Sequence, residues 1–403
     1  MRKRSSQILV GIFIISATAL LAQARPASGM PSFAREFQMK CSECHAGFPR
    51  LNDYGMEFKQ RGYRLPGKEG KFPWEQNTLP VSVLAFARYI DQHQDDPVTK
   101  ARTLTQSRFE LQEVTLIAAG TAAPKIGYDI EAVAPVAEDG AFTVEVGWAQ
   151  FSDLLPASAL NLRAGKMLDE YLHLSQLRRL TFQPYLAPIS FNVTGVELNG
   201  QRGSLRYAAG LVNDERQPSA ASNTPGVNLN NQAQGIYAWG SYFFADQILG
   251  LRYINTKANS DNPAPVIDGR TRQQLDANLL LRVGPTEWIL GYFHNWDIGG
   301  IDKQDRRNYL VEGIVETIPD KLFLNARFEL QDSGFVSGGN NPAKANGTLV
   351  AVNVSYYVVP NIRVIAEFNK VSGEGLGVFT FLDPNTSANG NQEQFILGLH
   401  MGF

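Results

Sequence analysis

Cys41, Cys44 and His45 are the residues whose types and spacing carry the clearest chemistry in this chain. They stand in the run CSECH, and these two cysteines are the only ones among its 403 residues. Cys-x-x-Cys-His is the attachment signature for a c-type haem. The spacing follows from the reaction: two thiols add to the two vinyl groups of a porphyrin, and the next residue places an imidazole under the iron as proximal ligand. A free pair in an exported protein would otherwise oxidise to a disulfide. Nothing around the motif suggests a thioredoxin-like βαβ unit, and a zinc site would need four ligands where no second Cys/His cluster is present. The motif predicts one covalent haem c on Cys41, Cys44 and His45, with the sixth ligand left open.

The neighbouring residues must position it. Ser32 follows Pro31 and caps a short helix on which Phe33, Phe37, Cys41 and Cys44 fall on one face at 3.6-residue spacing. Pro49 interrupts, Asn52 or Asp53 caps a second helix, and Gly62 ends it. Leu51, Tyr54 and Phe58 share one face of that helix. Roughly forty residues are too few to bury a haem on all sides, so this module must lean on the rest of the chain. Met30, Met39 and Met56 lie near the haem in sequence. Met39 falls opposite Cys41 on its helix, and Met56 points away from the Leu51/Tyr54/Phe58 face. His93, His173, His294 and His400 are the remaining histidines. His173 sits in a long segment after Lys166 that could fold inward, and an open sixth position is a further alternative.

The chain begins with a basic Arg2-Lys3-Arg4, an apolar run from Ile8 to Leu21 and the small-residue site Ala22-Gln23-Ala24. This reads as a secretory signal peptide over residues 1–24. The run is short for the ~20 residues of a membrane-spanning helix. Cleavage removes those three cations and takes the net charge from −2 to about −5, which gives no case for nucleic-acid binding. Residues 25–75 then form the monohaem module.

Residues 76–403 read differently. Segments of about ten residues alternate apolar and polar, the period-two signature of strands. Ile126, Tyr128, Ile130, Ala132 and Ala134 alternate with Gly127, Asp129 and Glu131. Phe142, Val144, Val146 and Trp148 alternate with Thr143, Glu145 and Gly147. Similar runs cover Leu275 to Leu281, Leu322 to Leu330 and Phe395 to Phe403, the last giving His400 a lumenal parity. About sixteen such segments occur, joined by tight turns at Ala245-Asp246, Gly284-Pro285-Thr286, Pro319-Asp320 and Val359-Pro360-Asn361 that alternate with long polar connections. The pattern predicts an all-β transmembrane barrel of about sixteen antiparallel strands, porin-like, in an outer membrane, with the small α-helical haem module before it. Trp148, Trp239, Tyr242, Trp288, Trp296, Tyr356 and Tyr357 are placed as interfacial girdles. Glu113 breaks the alternation between Phe109 and Ile117, which predicts a bulge. A soluble sandwich is the alternative, but it would keep its apolar face inside and rarely needs long polar loops at one end.

From Pro31 to Tyr63, PSFAREFQMKCSECH followed by FPRLNDYGMEFKQRGY resembles the N-terminal haem segment of the fused cytochrome–porins of iron-oxidising bacteria, the outer-membrane iron oxidases. The resemblance implies that Cys41, Cys44 and His45 hold the haem, that the module sits in or against the barrel lumen, and that the electron donor is extracellular Fe(II), with a periplasmic c-type cytochrome as partner. A haem on the periplasmic side alone could not reach an extracellular donor across an apolar band of ~25 Å. Two other readings stay open: a conduit of the same build for another donor or acceptor, and a diffusion porin with a structural haem. Asp91, Asp95, Asp96, Asp261, Asp268, Asp297, Asp302 and Asp305 carry the oxygen ligands that suit Fe²⁺, but solvated loops explain them as well, and no iron site is assigned.

Overall fold

The computed structural model describes residues 32–96, 99, 101–135, 142–168, 174–175, 179–187, 189, 192–213, 233–257, 271–296, 305–333, 346–376 and 388–402. The signal peptide, Met30, His173, Asp261, Asp268, Asp297 and Asp302 lie outside the described residues.

Sixteen antiparallel strands close into a barrel, with the first hydrogen-bonded to the last. They are β1 Val81–Asp95, β2 Arg102–Ala123, β3 Ile126–Pro135, β4 Thr143–Leu155, β5 Leu160–Leu168, β6 Asn192–Arg202, β7 Leu205–Asn213 and β8 Ala233–Phe244. The second half comprises β9 Gln247–Lys257, β10 Thr271–Val283, β11 Thr286–Trp296, β12 Arg306–Ile318, β13 Leu322–Ser333, β14 Gly347–Val359, β15 Ile362–Leu376 and β16 Ala388–Gly402. The tight turns expected from sequence all fall between β8 and β9, β10 and β11, β12 and β13, and β14 and β15, at one end of the barrel. Short connections at 124–125, 156–159 and 203–204 join them there.

The two faces differ as alternation requires. On β13, Leu324, Ala326, Phe328 and Leu330 are exposed outward while Phe323, Asn325, Arg327, Glu329 and Gln331 are buried inward. Leu322 to Leu330 covers ~27 Å of strand at ~3.4 Å per residue, or ~21 Å of height at a ~40° tilt. That matches the ~25 Å apolar band of a transmembrane barrel. An outer wall of exposed Leu, Val, Ile and Phe on strand after strand is stable against lipid and costly against water.

Two local expectations need correction. The run Phe142 to Trp148 does not keep one face. Glu131 pairs with Val146 while Ala132 pairs with Val144, so Glu145 is skipped at a bulge. Val144 therefore faces out, and Val146 and Trp148 are buried inside. Likewise only part of the aromatic set forms girdles. Tyr242, Trp288 and Tyr356 are exposed on the outer wall, whereas Trp148 and Tyr357 are buried and Trp239 packs on lumenal clusters. The expected bulge in β2 is present: Phe86 pairs with Glu113 and Ala87 with Leu111, leaving Gln112 unmatched.

The inward aromatics pack because the lumen is filled. Three short helices, α1 Ser32–Phe37, α2 Cys41–Cys44 and α3 Asp53–Gln60, occupy its short-turn end. Part of the long β5–β6 connection, residues 179–187 and 189, folds in above them, held by Glu367 on the amides of Phe182 and Gln183 at 2.6 and 2.7 Å. The single helix expected from Ser32 through Cys44 is instead two, broken at Gln38, whose φ is 57°.

Candidate functional site

Asn52 organises the helices that carry the motif. Its side chain accepts from Gly55 N at 2.9 Å, capping α3. Its amide donates to Ser42 O at 3.1 Å and Glu43 O at 3.0 Å, taking carbonyls of α2 that lack a partner within the helix. Gly55 lets the two helices meet: a Cβ there would stand 2.1 Å from Cys44 O. The crossing sets Leu51, Tyr54 and Phe58 beside Cys41 and Cys44, as their shared helical face predicts.

Cys41, Cys44 and His45 line one cavity, which encloses ≈ 1340 Å³ counting its open mouth. Phe33, Phe37, Tyr54 and Phe58 form its helical walls, and Leu84, Phe86, Glu113, Glu131 and Glu145 of β1 to β4 form its barrel wall. The break at Gln38 does not separate the aromatics from the motif, and it brings Met39 to the cavity, against the opposite-face expectation. His45 Nδ1 lies 3.2 Å from Pro49 O. A carbonyl only accepts, so Nδ1 carries the proton and Nε2 keeps the lone pair that could ligate a metal. Both cysteines are free thiols. Burial, with Glu43 and Cys41 adding to it, pushes the Cys44 thiol up to about 11, and burial raises the Cys41 thiol as well. Two thiols, an imidazole oriented through its Nδ1 and largely apolar walls fit a covalently attached haem. They do not make a zinc site: among the described residues no three His, Cys, Asp or Glu side chains gather to hold a metal ion.

Barrel closure decides the rest of the surroundings. Tyr357 donates to Phe48 O at 2.6 Å, Arg282 to Asp53 at 2.9 Å, Gln60 to Gly200 O at 2.7 Å and Tyr63 to Asp129 at 2.6 Å. Arg50 pairs with Glu287, and Arg64 with Asp153 at 2.9 Å. These partners stand on β14, β10, β6, β3, β11 and β4, so the helices are clasped around the circumference. Tyr63 also stacks on Trp148 at 5.7 Å between ring centres.

The other candidates disperse. Met56 does not line the cavity. His93 faces Glu393 at 3.1 Å on strands β1 and β16, and the His294 ring lies 4.0 Å from that of Trp296, tilted by 33°. His400 is lumenal, as its parity predicts, but lies behind the ring of Phe48, 4.8 Å away, with Nδ1 3.3 Å from Arg363. Asp91 accepts from Ser107, Asp95 pairs with Arg102, Asp96 accepts from Thr99, and Asp305 lies 3.5 Å from His294. Sequence reasoning missed Glu113, Glu131 and Glu145 as cavity residues. Their signals were present: Glu131 holds the polar parity of its strand, and both Glu113 and Glu145 sit at bulges.

A closed sixteen-strand barrel with an apolar outer wall, a polar lumen and a segment of the β5–β6 connection folded inside defines the porin class of fold. The solved structures it resembles belong to that class. The outer membrane channel DcaP of Acinetobacter baumannii matches with a TM-score of 0.56 at 13% identity, over 80% of this chain and 97% of that one. The anion-selective porin from Comamonas acidovorans matches at 0.54 and 12% identity, over 80% and 99%. OmpF of Salmonella typhi matches at 0.54 and 11% identity, over 80% and 97%. At such identities the likeness is one of fold. No family model and no curated protein matches the sequence.

Proposed function

We propose that this is an outer-membrane electron-transfer protein that oxidises extracellular Fe(II) one electron at a time at a covalent haem c on Cys41, Cys44 and His45, and passes the electrons to a periplasmic c-type cytochrome. The observation that carries the reading is the convergence of Cys41, Cys44 and His45 on a single cavity inside the lumen. When bound, the haem supplies one-electron chemistry, its iron alternating between ferric and ferrous. The chain's own residues set the conditions. Pro49 O fixes the orientation of the His45 ring, and Phe33, Phe37, Phe58 and Tyr63 give the cavity apolar walls. The barrel wall supplies the cover that three short helices cannot, and it holds the site at the short-turn mouth, the periplasmic end in barrels of this class. Fe(II) and the cytochrome partner rest on the resemblance of residues 31–63 to the fused cytochrome–porins.

The fold likeness by itself favours a second reading, a diffusion porin. The helices and residues 179–187 inside the lumen argue for restricted solute passage. Stopped-flow mixing of the purified ferric protein with Fe²⁺, followed by the haem spectrum, tests the proposal. Reduction of the haem on mixing is expected. A protein without haem bands would overturn it, whereas a haem that Fe²⁺ leaves ferric would point to a conduit for another donor.

A further inference from the structure

Resting on the haem reading above, we infer that Glu113 and Glu145 act as a coupled pair that sets the potential of the haem and takes up a proton when the haem is reduced. In that step one electron from the extracellular donor converts ferric iron to ferrous. One proton from water converts one carboxylate of the pair to a carboxyl, and no other bond is made or broken. Both glutamates act through the field inside the cavity, which makes them positioning residues of the electron-transfer site.

Two separate bulges aim these carboxylates. Along β2, Ser107, Phe109 and Leu111 are exposed, whereas Thr115 and Ala119, of the same odd parity, are buried. The parity changes at Gln112, which has no partner on β1. Without that extra residue Glu113 would share the outward face of Phe109 and Leu111. On β4, Glu145 is skipped between Val144, which faces out, and Val146, which is buried. Both glutamates line the cavity that holds Cys41, Cys44 and His45. Packing does not reward a carboxylate among largely apolar walls. Bulges are enriched beside functional sites, where they re-aim a side chain, and here two of them turn carboxylates into one cavity.

The cations that face the pair are shared with other acceptors. Arg88 and Arg179 act on Glu113, which also bonds Thr115. Arg88 pairs with Glu110, and Arg179 donates to Phe182 O at 2.7 Å. Lys166 and Arg179 act on Glu145, and Glu113 opposes them. Lys166 donates to Val144 O at 2.8 Å. Glu131 of β3 adds a third carboxylate to the same wall. The helices contribute Lys40 and Lys59, the latter paired with Asp129 at 3.7 Å, along with His45 and the phenols of Tyr54 and Tyr63. Carboxylates that share a site titrate as a pair. Unit charges about 10 Å apart within a protein alter each other's equilibria by roughly tenfold. An ionised pair therefore favours ferric iron, and ferrous iron favours a protonated pair, one coupling seen from its two ends. A fall in pH raises the potential, so a given Fe(II) donor reduces the haem more completely.

The test is a spectroelectrochemical titration of the full-length haem protein in detergent at a series of pH values, for wild type and for Glu113→Gln, Glu145→Gln and Glu113→Asp. The wild-type potential should fall as pH rises, by up to ~59 mV per pH unit, the slope of one proton per electron. Each glutamine variant should favour the ferrous form by about tenfold, a rise of ~59 mV for one electron, and flatten the slope. Glu113→Asp should keep it. Glu393→Gln, which removes a carboxylate paired with Lys370 outside the cavity, is the control and should change neither. Infrared difference spectra should gain a carboxyl C=O band on reduction that the glutamine variants lose. If Glu113→Gln yields no heat-modifiable barrel, Glu145→Gln carries the same test. A wild-type potential independent of pH overturns the inference, and so does a slope that both glutamine variants retain, which belongs to the propionates of the haem. Wild-type protein without haem bands overturns the haem reading, and this inference falls with it.

Discussion

Gly62 at the end of α3 and Gly127 on β3 meet backbone to backbone. A Cβ on Gly127 would stand 2.4 Å from Gly62 O and 2.7 Å from its Cα. Gly62 has φ +68°, a conformation that side chains resist, so neither residue can be enlarged without moving the helices off the wall. Gly127→Val should weaken docking of the helices by about 1–3 kcal/mol, the usual cost of overpacking. Ion conductance in planar bilayers should rise, and deleting residues 30–65 should raise it further. Gly147→Ala is the control, since its Cβ would meet nothing nearer than 3.4 Å. Unchanged conductance in both the valine variant and the deletion would show that the helices do not block the pore.

Arg327 anchors the inserted segment. It donates to Thr181 Oγ at 3.0 Å, Gln183 O at 2.7 Å and Pro184 O at 2.8 Å, and lies 4.2 Å from the centre of the Tyr185 ring. Its ion pair with Glu329, at 3.2 Å, is fully buried. Arg327→Met should cost about 3–5 kcal/mol, because a carboxylate is left buried beside apolar replacement atoms. The temperature at which the barrel loses heat-resistant gel migration should fall, with Arg327→Lys in between.

Tyr63→Phe removes the hydroxyl from which Asp129 accepts at 2.6 Å and leaves the ion pair with Lys59 at 3.7 Å. A loss of about 1–3 kcal/mol is expected for a buried acceptor deprived of its donor. Trp148 stacks on this ring, so its fluorescence can follow unfolding. A double-mutant cycle with Asp129→Asn should show coupling between the two sites, and additive effects would refute the pairing.

The strand ends predict sidedness. An epitope inserted near Asn340, in the connection between β13 and β14, should be labelled on intact cells. One near Asp320, in the tight turn between β12 and β13 at the end where the helices dock, should not. The reverse pattern would invert the orientation assigned to the barrel.

Attachment can be read without activity. Cys44→Ala should lose most of the haem stain that wild-type protein keeps on a denaturing gel, because one thioether vanishes with the sulfur. A colourless wild-type band, from cells with intact maturation machinery, would remove the haem from this account.

The sequence by itself determined whatever depends on local geometry. Side chains alternate along a strand, so the outward leucines of β10 and β13, the lumenal parity of His400 and the strand count were legible from period two. Tight turns need particular residues, so Ala245-Asp246 and Pro360-Asn361 marked one end of the barrel. The spacing of CSECH predicts a covalent haem and needs no fold to be read. Other features depend on pairing and closure, which no local pattern encodes. The Glu145 bulge turns Val146 and Trp148 inward because β3 sets the register of β4. Tyr357 and Trp239 look like girdle residues and are lumenal, because the chain brings its own N-terminal segment and part of the β5–β6 connection inside for them to pack on. Closing β1 on β16 places Phe48 against Tyr357 and His400, more than three hundred residues away. The β2–β3 and β3–β4 registers make the carboxylates of β2, β3 and β4 one wall of the cavity that holds Cys41, Cys44 and His45. Those distances in sequence cost loop-closure entropy that only the assembled barrel repays, which is why the motif was legible and its surroundings were not.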